Sequence, residues 1–335
     1  MKLLAIILRR LVWFIPTVAG LIAIVFTVSH VIPADPARLM AGDLATPEQV
    51  AALRLQHGFD RPLIVQLGHY MLRVARGDLG TSLFTNRPIV EDLARRLPAT
   101  VELTLVAMLI ATSIGIPLGV ICAVRRNTVL DHALRVLTVS GLAIASFWLA
   151  ILLQLVFAME LGWTPLAGRI DGFAPRSVTG LFLLDALIEG KLDLFGKALS
   201  HIALPAITLA VPGLATIVRF TRAGVLDALQ SNFVLYQRAM GLPEWLIVWK
   251  YVLRNALIST VTQIGLLFGI LMAGAVVVEA IFDWPGIGAY AFLSIYQSDY
   301  NAVMGFTLWA GSIFILVNLA VDMAHALIDP RSKAA

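Results

Sequence analysis

The stretch VLDALQSNFVLYQRAM, then Gly241, then LPEWLIVWKYVLRNAL, residues 225–257, decides how this chain is read. It is polar and basic, and it lies between two long runs without Asp, Glu, Lys or Arg, residues 202–218 and 256–278. The pattern predicts a helix, a glycine turn and a second helix. Gly241 can take the positive φ that closes the first helix, and Pro243 suits the first turn of the second. Beyond it Trp245, Trp249, Val252 or Leu253, and Ala256 recur every three or four residues, which predicts one apolar stripe. Glu244, Lys250, Arg254 and Asn255 fall opposite. Two roles fit such a hairpin. It can lie on the headgroups with its basic residues paired to anionic lipid, or it can project from the bilayer as a rigid element through which a separate soluble motor moves the membrane helices.

Working outward, the composition is that of a chain built for lipid. Of 335 residues, 59% are hydrophobic and 14% charged, against about a quarter charged in a soluble domain. Mean hydropathy is +0.87. A bilayer core of roughly 30 Å needs about 20 apolar helical residues. Six uncharged runs meet or approach that length: residues 11–32, 103–124, 136–159, 202–218, 256–278 and 301–321. The fourth carries Pro205 and Pro212 and still reads as a span, because neighbouring helices can satisfy the carbonyls that proline frees. The first run follows Lys2, Arg9 and Arg10 but outlasts a signal-peptide core, and no small-x-small cleavage site follows before Pro33. It reads as a retained anchor.

Six spans put both termini on one side, and short loops fix which one. Arg125, Arg126 and Arg135 flank the second-to-third connection. Arg219, Arg222, Arg238, Lys250 and Arg254 occupy the fourth-to-fifth, and Arg331 and Lys333 end the chain. The fifth-to-sixth loop has Asp283 and Asp299 but no Lys or Arg. Both termini and the hairpin are therefore expected in the cytoplasm. The organisation expected is an N-terminus and first span over residues 1–32, an external segment over 33–98, and a membrane domain over 99–335 that includes the loop 223–257. In the external segment Thr46-Pro47-Glu48-Gln49 looks like a helix start. Residues 64–74 form a second amphipathic stretch, ended by the turn signal Gly77-Asp78-Leu79-Gly80. These short helices either pack on the bundle or offer a platform to an external partner.

Catalytic chemistry finds no support. Gly190-Lys191 and Gly196-Lys197 lack the spacing of a phosphate-cradling loop. The six histidines show no H-x-x-x-H pair for a metal, and the single cysteine, Cys122, reads as a small core residue. Ionisable residues in the membrane signal function by default, and the span cores have none. Glu102 and Glu279 sit at span ends, where interfacial or inter-subunit contact is the expected role rather than proton relay. Gln154, Gln263 and Asn318 are polar groups in the spans that a solute could meet. Gly115-x-x-x-Gly119 and Gly265-x-x-x-Gly269 predict close helix approach, within this chain or against a second subunit.

The hairpin resembles the coupling loop of binding-protein-dependent ABC permeases, whose dipeptide and oligopeptide branch has a form like YVRTARAKGL followed by LRNALLP. Here FVLYQRAMGL, residues 233–242, and LRNALIS, residues 253–259, match at Arg238, Ala239, Gly241, Leu242, Arg254, Asn255 and Ala256, and depart at Gln237, Met240 and Ser259. Phrases resembling that branch run in order through the chain. They include LRRLVWFIPT, GDLGTSLFTNRPIV, RLPATVELTL, HIALPAITLAVPGLATIVRFTR, VVEAIFDWPGIGAYAFLSIYQ and LVNLAVDMAHALIDPR. The resemblance implies an all-α integral membrane protein with the type I ABC importer permease fold, six transmembrane helices, an external helical segment and a cytoplasmic coupling helix. It implies a non-catalytic subunit in the bacterial inner membrane that imports dipeptides or oligopeptides, or else nickel complexes, glutathione or another small solute. An ion-driven carrier or channel is the rival class. Implied partners are a second permease, two cytoplasmic ATPases that bind the ATP and Mg, an external solute-binding protein and membrane lipid, with no nucleic acid and no cofactor in this chain. The implied ATPase-coupling residues are Phe233, Gln237, Arg238, Ala239, Met240, Gly241, Leu242, Pro243 and Glu244.

Overall fold

The computed structural model describes residues 2–31, 45–57 and 60–328. Residue 32 at the end of the expected first span, residues 33–44 and 58–59 of the expected external segment, and the basic ending at Arg331 and Lys333 lie outside the described residues. Among those described there is no sheet, only an isolated antiparallel bridge between Thr81 and Pro88. In chain order the helices are α1 (Lys2–Val31), α2 (Pro47–His57), α3 (Leu63–Ala75), α4 (Ile89–Val124), α5 (Val129–Ala143) and α6 (Ser146–Leu153). They continue with α7 (Phe182–Ile188), α8 (Leu192–Leu229), α9 (Asn232–Ala239), α10 (Glu244–Leu246), α11 (Leu253–Gly274), α12 (Val276–Ile281), α13 (Ile287–Tyr296) and α14 (Tyr300–Ile328). Wider π-helical turns cover Gln154–Glu160 after α6 and Ile247–Val252 between α10 and α11.

Every expected apolar run is helical where it is described, except at residues 144, 145 and 275. Among the described residues, three helices are long and apolar enough to cross a membrane: Ile89–Val124, Leu192–Leu229 and Tyr300–Val321. Counting two bent pairs as one span each gives five, Val129–Ala143 with Ser146–Glu160 and Glu244–Ile258 with Thr260–Ala273. The first run lies in α1, whose described apolar stretch, Ile15–Thr27, is shorter. The third run differs most from expectation. It turns by 101°, because Ile144 and Ala145 are both extended, with ψ of 124° and 130°. Neither bend residue is proline or glycine; Gly141, three positions before Ile144, is still helical. Through α8 the helix continues unbroken past both Pro205 and Pro212.

The described residues form two compact units. The first takes in residues 3–96 and 290–312. In it Ile22, Val25 and Phe26 of α1 cluster with Tyr70 of α3 and Leu308 of α14. The start of α2 is a reciprocal cap: the Thr46 N–H donates to Gln49 Oε1 at 3.0 Å, and the Gln49 N–H to Thr46 Oγ1 at 3.4 Å. Buried Asp299 caps α14 by accepting from the Ala302 N–H at 3.1 Å, and also accepts from the Ser82 hydroxyl at 2.6 Å.

The second unit takes in residues 97–289 and 313–328. Its core gathers Leu103, Ala107 and Ala111 of α4 with Ile202, Ala206 and Ile217 of α8, and with Phe282 and Trp284. The two glycine pairs work within the chain. A Cβ on Gly119 would stand 2.6 Å from Thr221 Cβ of α8, and one on Gly265 would stand 2.1 Å from a methyl of Val321 on α14. Small residues at both places let helix backbones approach.

Candidate functional site

The segment after α8 is built by local chemistry. α8 stops at Leu229, and the Ser231 hydroxyl donates back to the Ala228 carbonyl, closing its last turn. The single first helix expected up to Met240 is thus two, α8 and the short α9. α9 ends in a left-handed cap. Gly241 has φ of +75°, its N–H donates to the Arg238 carbonyl at 2.9 Å, and the Leu242 N–H reaches the Gln237 carbonyl at 3.2 Å. Those two bonds satisfy carbonyls that a helix end leaves open. Pro243 then turns the chain in extended conformation, and α10 begins at Glu244.

The turn is braced from outside as well. Arg238 Nε donates to Glu244 Oε1 at 2.7 Å and Arg238 Nη2 to Glu244 Oε2 at 3.2 Å. This fork joins the last turn of α9 to the first residue of α10. The Arg238 guanidinium holds the Glu244 carboxyl below the usual carboxylate range, and Glu244 in turn raises Arg238. Both side chains are exposed, so the pair contributes at most about 1 kcal/mol; its bidentate geometry matters more, because it fixes the turn's shape.

The nine expected residues fall together on this one feature, in two groups. Arg238, Ala239, Met240, Gly241, Pro243 and Glu244 are exposed, whereas Phe233, Gln237 and Leu242 are half-buried. Phe233 and Leu242 pack on a small core of Val120 and Ala123 of α4, Val225 of α8, and Val234, Ile247, Val248, Val252 and Ala256 of the hairpin. The stripe expected from Trp245 and Trp249 is corrected here. Trp245 is 67% and Trp249 45% exposed, while Ile247 and Val252 are fully buried. A π turn holds more residues than the 3.6 of an α turn, so the face that packs inward passes through Ile247, Val248, Val252 and Ala256 and leaves the indoles outside. Sequence reading also passed over Leu235 and Tyr236, which are exposed beside Met240 on α9. Their i, i+4 spacing with Ala239 and Met240 is the signal that marks them.

Just before the hairpin, α5 is bolted to α8. Asp131 is fully buried and accepts from Arg222 Nε at 2.9 Å, Arg222 Nη2 at 3.1 Å, Arg135 Nη2 at 2.9 Å and the Asn127 N–H at 3.1 Å. Two guanidinium groups and one backbone N–H thus compensate a carboxylate that burial alone would disfavour.

The carboxylates at the span ends are satisfied within the chain rather than left for another subunit. Glu102 accepts from Arg169 Nε at 3.1 Å and from the Leu183 N–H at 2.7 Å, and the Arg169 guanidinium stacks 3.7 Å over the Phe182 ring. Glu279 is fully buried and accepts from the Thr100 hydroxyl and the Ala289 N–H. Gln154 donates to the Leu166 and Ile281 carbonyls. Among the described residues, no group of three or more His, Cys, Asp or Glu side chains forms a metal site.

Comparison with known proteins identifies what this architecture belongs to. Residues 115–334 match the family described as the binding-protein-dependent transport system inner membrane component, and residues 3–104 match its N-terminal membrane component. The chain is 45% identical to the probable D,D-dipeptide transport system permease protein DdpB of Escherichia coli (strain K12), covering 97% of this chain and 96% of that one. It is 40% identical to the dipeptide transport system permease protein DppB of Alkalihalophilus pseudofirmus, over 99% of this chain and 100% of the relative. Identity to the glutathione transport system permease protein GsiC of Salmonella typhi is 36%, over 98% of each. A chain of the MetNI methionine ABC transporter, solved in inward-facing conformations, superposes with a TM-score of 0.52 at 18% identity, over 71% of this chain and 96% of that one. That likeness speaks for the fold, the type I ABC importer arrangement of helices. The chain belongs to the binding-protein-dependent transport family, as its inner-membrane permease component.

Proposed function

We propose that this chain forms half of the pathway through which an ABC importer brings dipeptides or short peptides across the bacterial inner membrane, and that the turn from Phe233 to Glu244 is where the motor pushes. The observation that carries the reading is a short helix, α9, which with its C-cap Met240 exposes Leu235, Tyr236 and the Met240 side chain while its far end is fixed by the Gly241 cap and the Arg238–Glu244 fork. An exposed apolar face on a braced element suits a socket in a partner protein, and a stiff turn passes force on where a floppy one would absorb it. The partner is a pair of cytoplasmic ATPases that hold ATP and Mg. A second permease completes the pathway, and a solute-binding protein delivers cargo from outside. The excess of Arg and Lys in the short loops, Arg125, Arg126, Arg219, Arg222 and Arg238 among them, supports a cytoplasmic hairpin and cytoplasmic termini. ATP binding then shifts the membrane helices between inward- and outward-facing states to the extent that it contacts the hairpin differently in the two.

The peptide assignment leans on the dipeptide permeases that share 38–45% identity with this chain. The glutathione permease at 36% makes glutathione, itself a small peptide, the second reading. The coupling role is tested with a cysteine at Met240 in the complete transporter. Cross-linking to an ATPase subunit, with a yield that changes when ATP is added, is the expected result. A Met240→Cys transporter that takes up substrate normally yet never cross-links to an ATPase overturns it. Competition of labelled dialanine uptake by unlabelled glutathione separates the two solutes.

A further inference from the structure

Where α4 ends, the second limb of the hairpin leaves an open cavity of about 450 Å³, within the roughly 300–1,000 Å³ usual for ligand sites. It is lined by Val120, Ile121 and Val124 of α4, Leu130 of α5, and the indoles of Trp245 and Trp249. Val248 and two charged residues, Arg125 and Glu244, complete it. The Glu244 carboxylate is already engaged by Arg238. Arg125 has no carboxylate partner among the described residues, and exposed Arg126 and Lys250 adjoin the lining in sequence. The uncompensated charge at this cavity is therefore positive.

Depth follows from the sequence. The apolar run of α4 ends at Val124 and gives way to Arg125 and Arg126, so the cavity lies at the level where hydrocarbon meets headgroups. Tryptophan favours that level, since its ring is apolar and its N–H polar. An occupant must bring an aliphatic part for the Val, Ile and Leu side chains and an anionic part for Arg125. We infer that this cavity is a binding site for one anionic phospholipid, with an acyl chain against Val120, Ile121 and Leu130 and the phosphate at Arg125. Assigning that lipid to the cytoplasmic leaflet rests on the orientation proposed above; the binding itself does not. A lipid so placed packs against the two tryptophans of the limb that follows the Gly241 turn, and it would steady that limb against α4.

The test uses the complete transporter, purified in mild detergent, stripped of lipid and titrated with phosphatidylglycerol or phosphatidylcholine while native mass spectrometry counts bound lipid. Phosphatidylglycerol should be retained in preference to phosphatidylcholine. Arg125→Gln should weaken its retention about five-fold, the factor that one basic charge near an anionic surface carries. Leu130→Trp, which fills the cavity and leaves every charge in place, should abolish the same retention. Phosphatidylglycerol with brominated acyl chains should quench tryptophan fluorescence in the parent protein and less so in Trp249→Phe. Equal retention of the two lipids, or retention unmoved by Arg125→Gln and Leu130→Trp in assembled transporter, overturns the site. So does a cysteine at Val124 that cross-links fully to an ATPase subunit, because a protein then occupies the cavity. Failure of the Met240 cross-link would overturn the coupling role and leave the lipid count unchanged, so the two ideas fail separately.

Discussion

The Glu279 carboxylate accepts a hydrogen bond of 2.7 Å from the hydroxyl of Thr100, 179 residues away in the chain. The same Thr100 oxygen accepts the Ile287 N–H at 2.8 Å, and Glu279 accepts the Ala289 N–H at 3.0 Å. Two of the backbone donors that the start of α13 leaves open are thus met by side chains from α4 and α12. The Trp284 indole N–H adds a bond to the Ala99 carbonyl at 2.9 Å. The sequence FDWPGIG makes this knot possible because its glycines lie against other chain segments. A Cβ on Gly288 would stand 2.6 Å from Val276 Cα, and one on Gly286 would stand 2.3 Å from the Glu279 carboxylate.

Gly288→Ala should therefore be the harsher of the two glycine substitutions, because backbone blocks it, whereas a carboxylate blocks Gly286→Ala. Overpacking of this kind costs about 1–3 kcal/mol. Thermal unfolding of the purified permease in detergent should show Gly288→Ala lowering the midpoint more than Gly286→Ala. The reverse order would mean that Glu279 is the more rigid neighbour.

Asp131 and Arg222 give a second contrast. Removing one partner of a buried pair leaves the other uncompensated, at a cost of about 3–5 kcal/mol, so Asp131→Ala should destabilise strongly. Asp131→Ala combined with Arg222→Met should recover part of that loss, since both charges then disappear together. Arg135 remains near the site and limits the recovery. Melting temperatures of the two single variants and the double variant give the coupling directly, and a strictly additive result would show that the pair is not one unit.

What the sequence disclosed and what it hid follow from the range of the forces. The Gly241 turn, the Pro243 restart and the Thr46–Gln49 cap are legible because each is decided within about six residues. The apolar runs are legible because membrane helices obey composition. The register of Trp245 and Trp249 is not, since a π turn over Ile247–Val252 carries no composition signal and rotates the face that packs inward. The bend falls on Ile144 and Ala145, neither proline nor glycine, and Gly141 just before it remains in the helix and does not locate it. Asp131 with Arg222, Glu102 with Arg169, and Glu279 with Thr100 pair residues 91, 67 and 179 positions apart. Their charges and hydroxyls are visible in the sequence, and their partners are set only by tertiary packing.

A pH dependence should appear in the segment before α8. Burial pushes the Asp185 carboxyl up, but hydrogen bonds outweigh it and hold the group below its ordinary value. Those bonds come from the Thr179 N–H and hydroxyl at 2.8 and 2.7 Å and from the Gly180 N–H at 3.0 Å. A depressed carboxylate contributes stability that is present above the unfolded value of about 3.9 and lost as pH falls through the folded value. Amide protection over residues 176–190, measured as exchange relative to the intrinsic rate at each pH, should hence stay constant from pH 8 to pH 5 and fall only below pH 4. In Asp185→Asn that acid-dependent step should be missing, and exchange should be faster throughout.

At Gly241 the structure separates backbone conformation from contact. A Cβ there would meet nothing within 4 Å, yet φ is +75°. Gly241→Ala should cost only the left-handed penalty of about 1–2 kcal/mol, paid locally by a looser cap on α9. Gly241→Pro cannot reach a positive φ and also removes the N–H that donates to Arg238, so it should open the turn. Neither change touches the membrane core, so both proteins should insert and assemble at normal levels. If the turn transmits force, uptake per ATP hydrolysed should fall modestly in Gly241→Ala and nearly vanish in Gly241→Pro, with ATPase activity persisting in both. Arg238→Glu should resemble the proline variant in direction, because it sets two carboxylates against each other where the fork now closes the turn. Restoring opposite charges with Arg238→Glu and Glu244→Arg together should recover part of the coupling, an outcome that simple loss of a surface cation would not give. Normal uptake in Gly241→Pro at normal assembly would remove this turn from the path of force altogether.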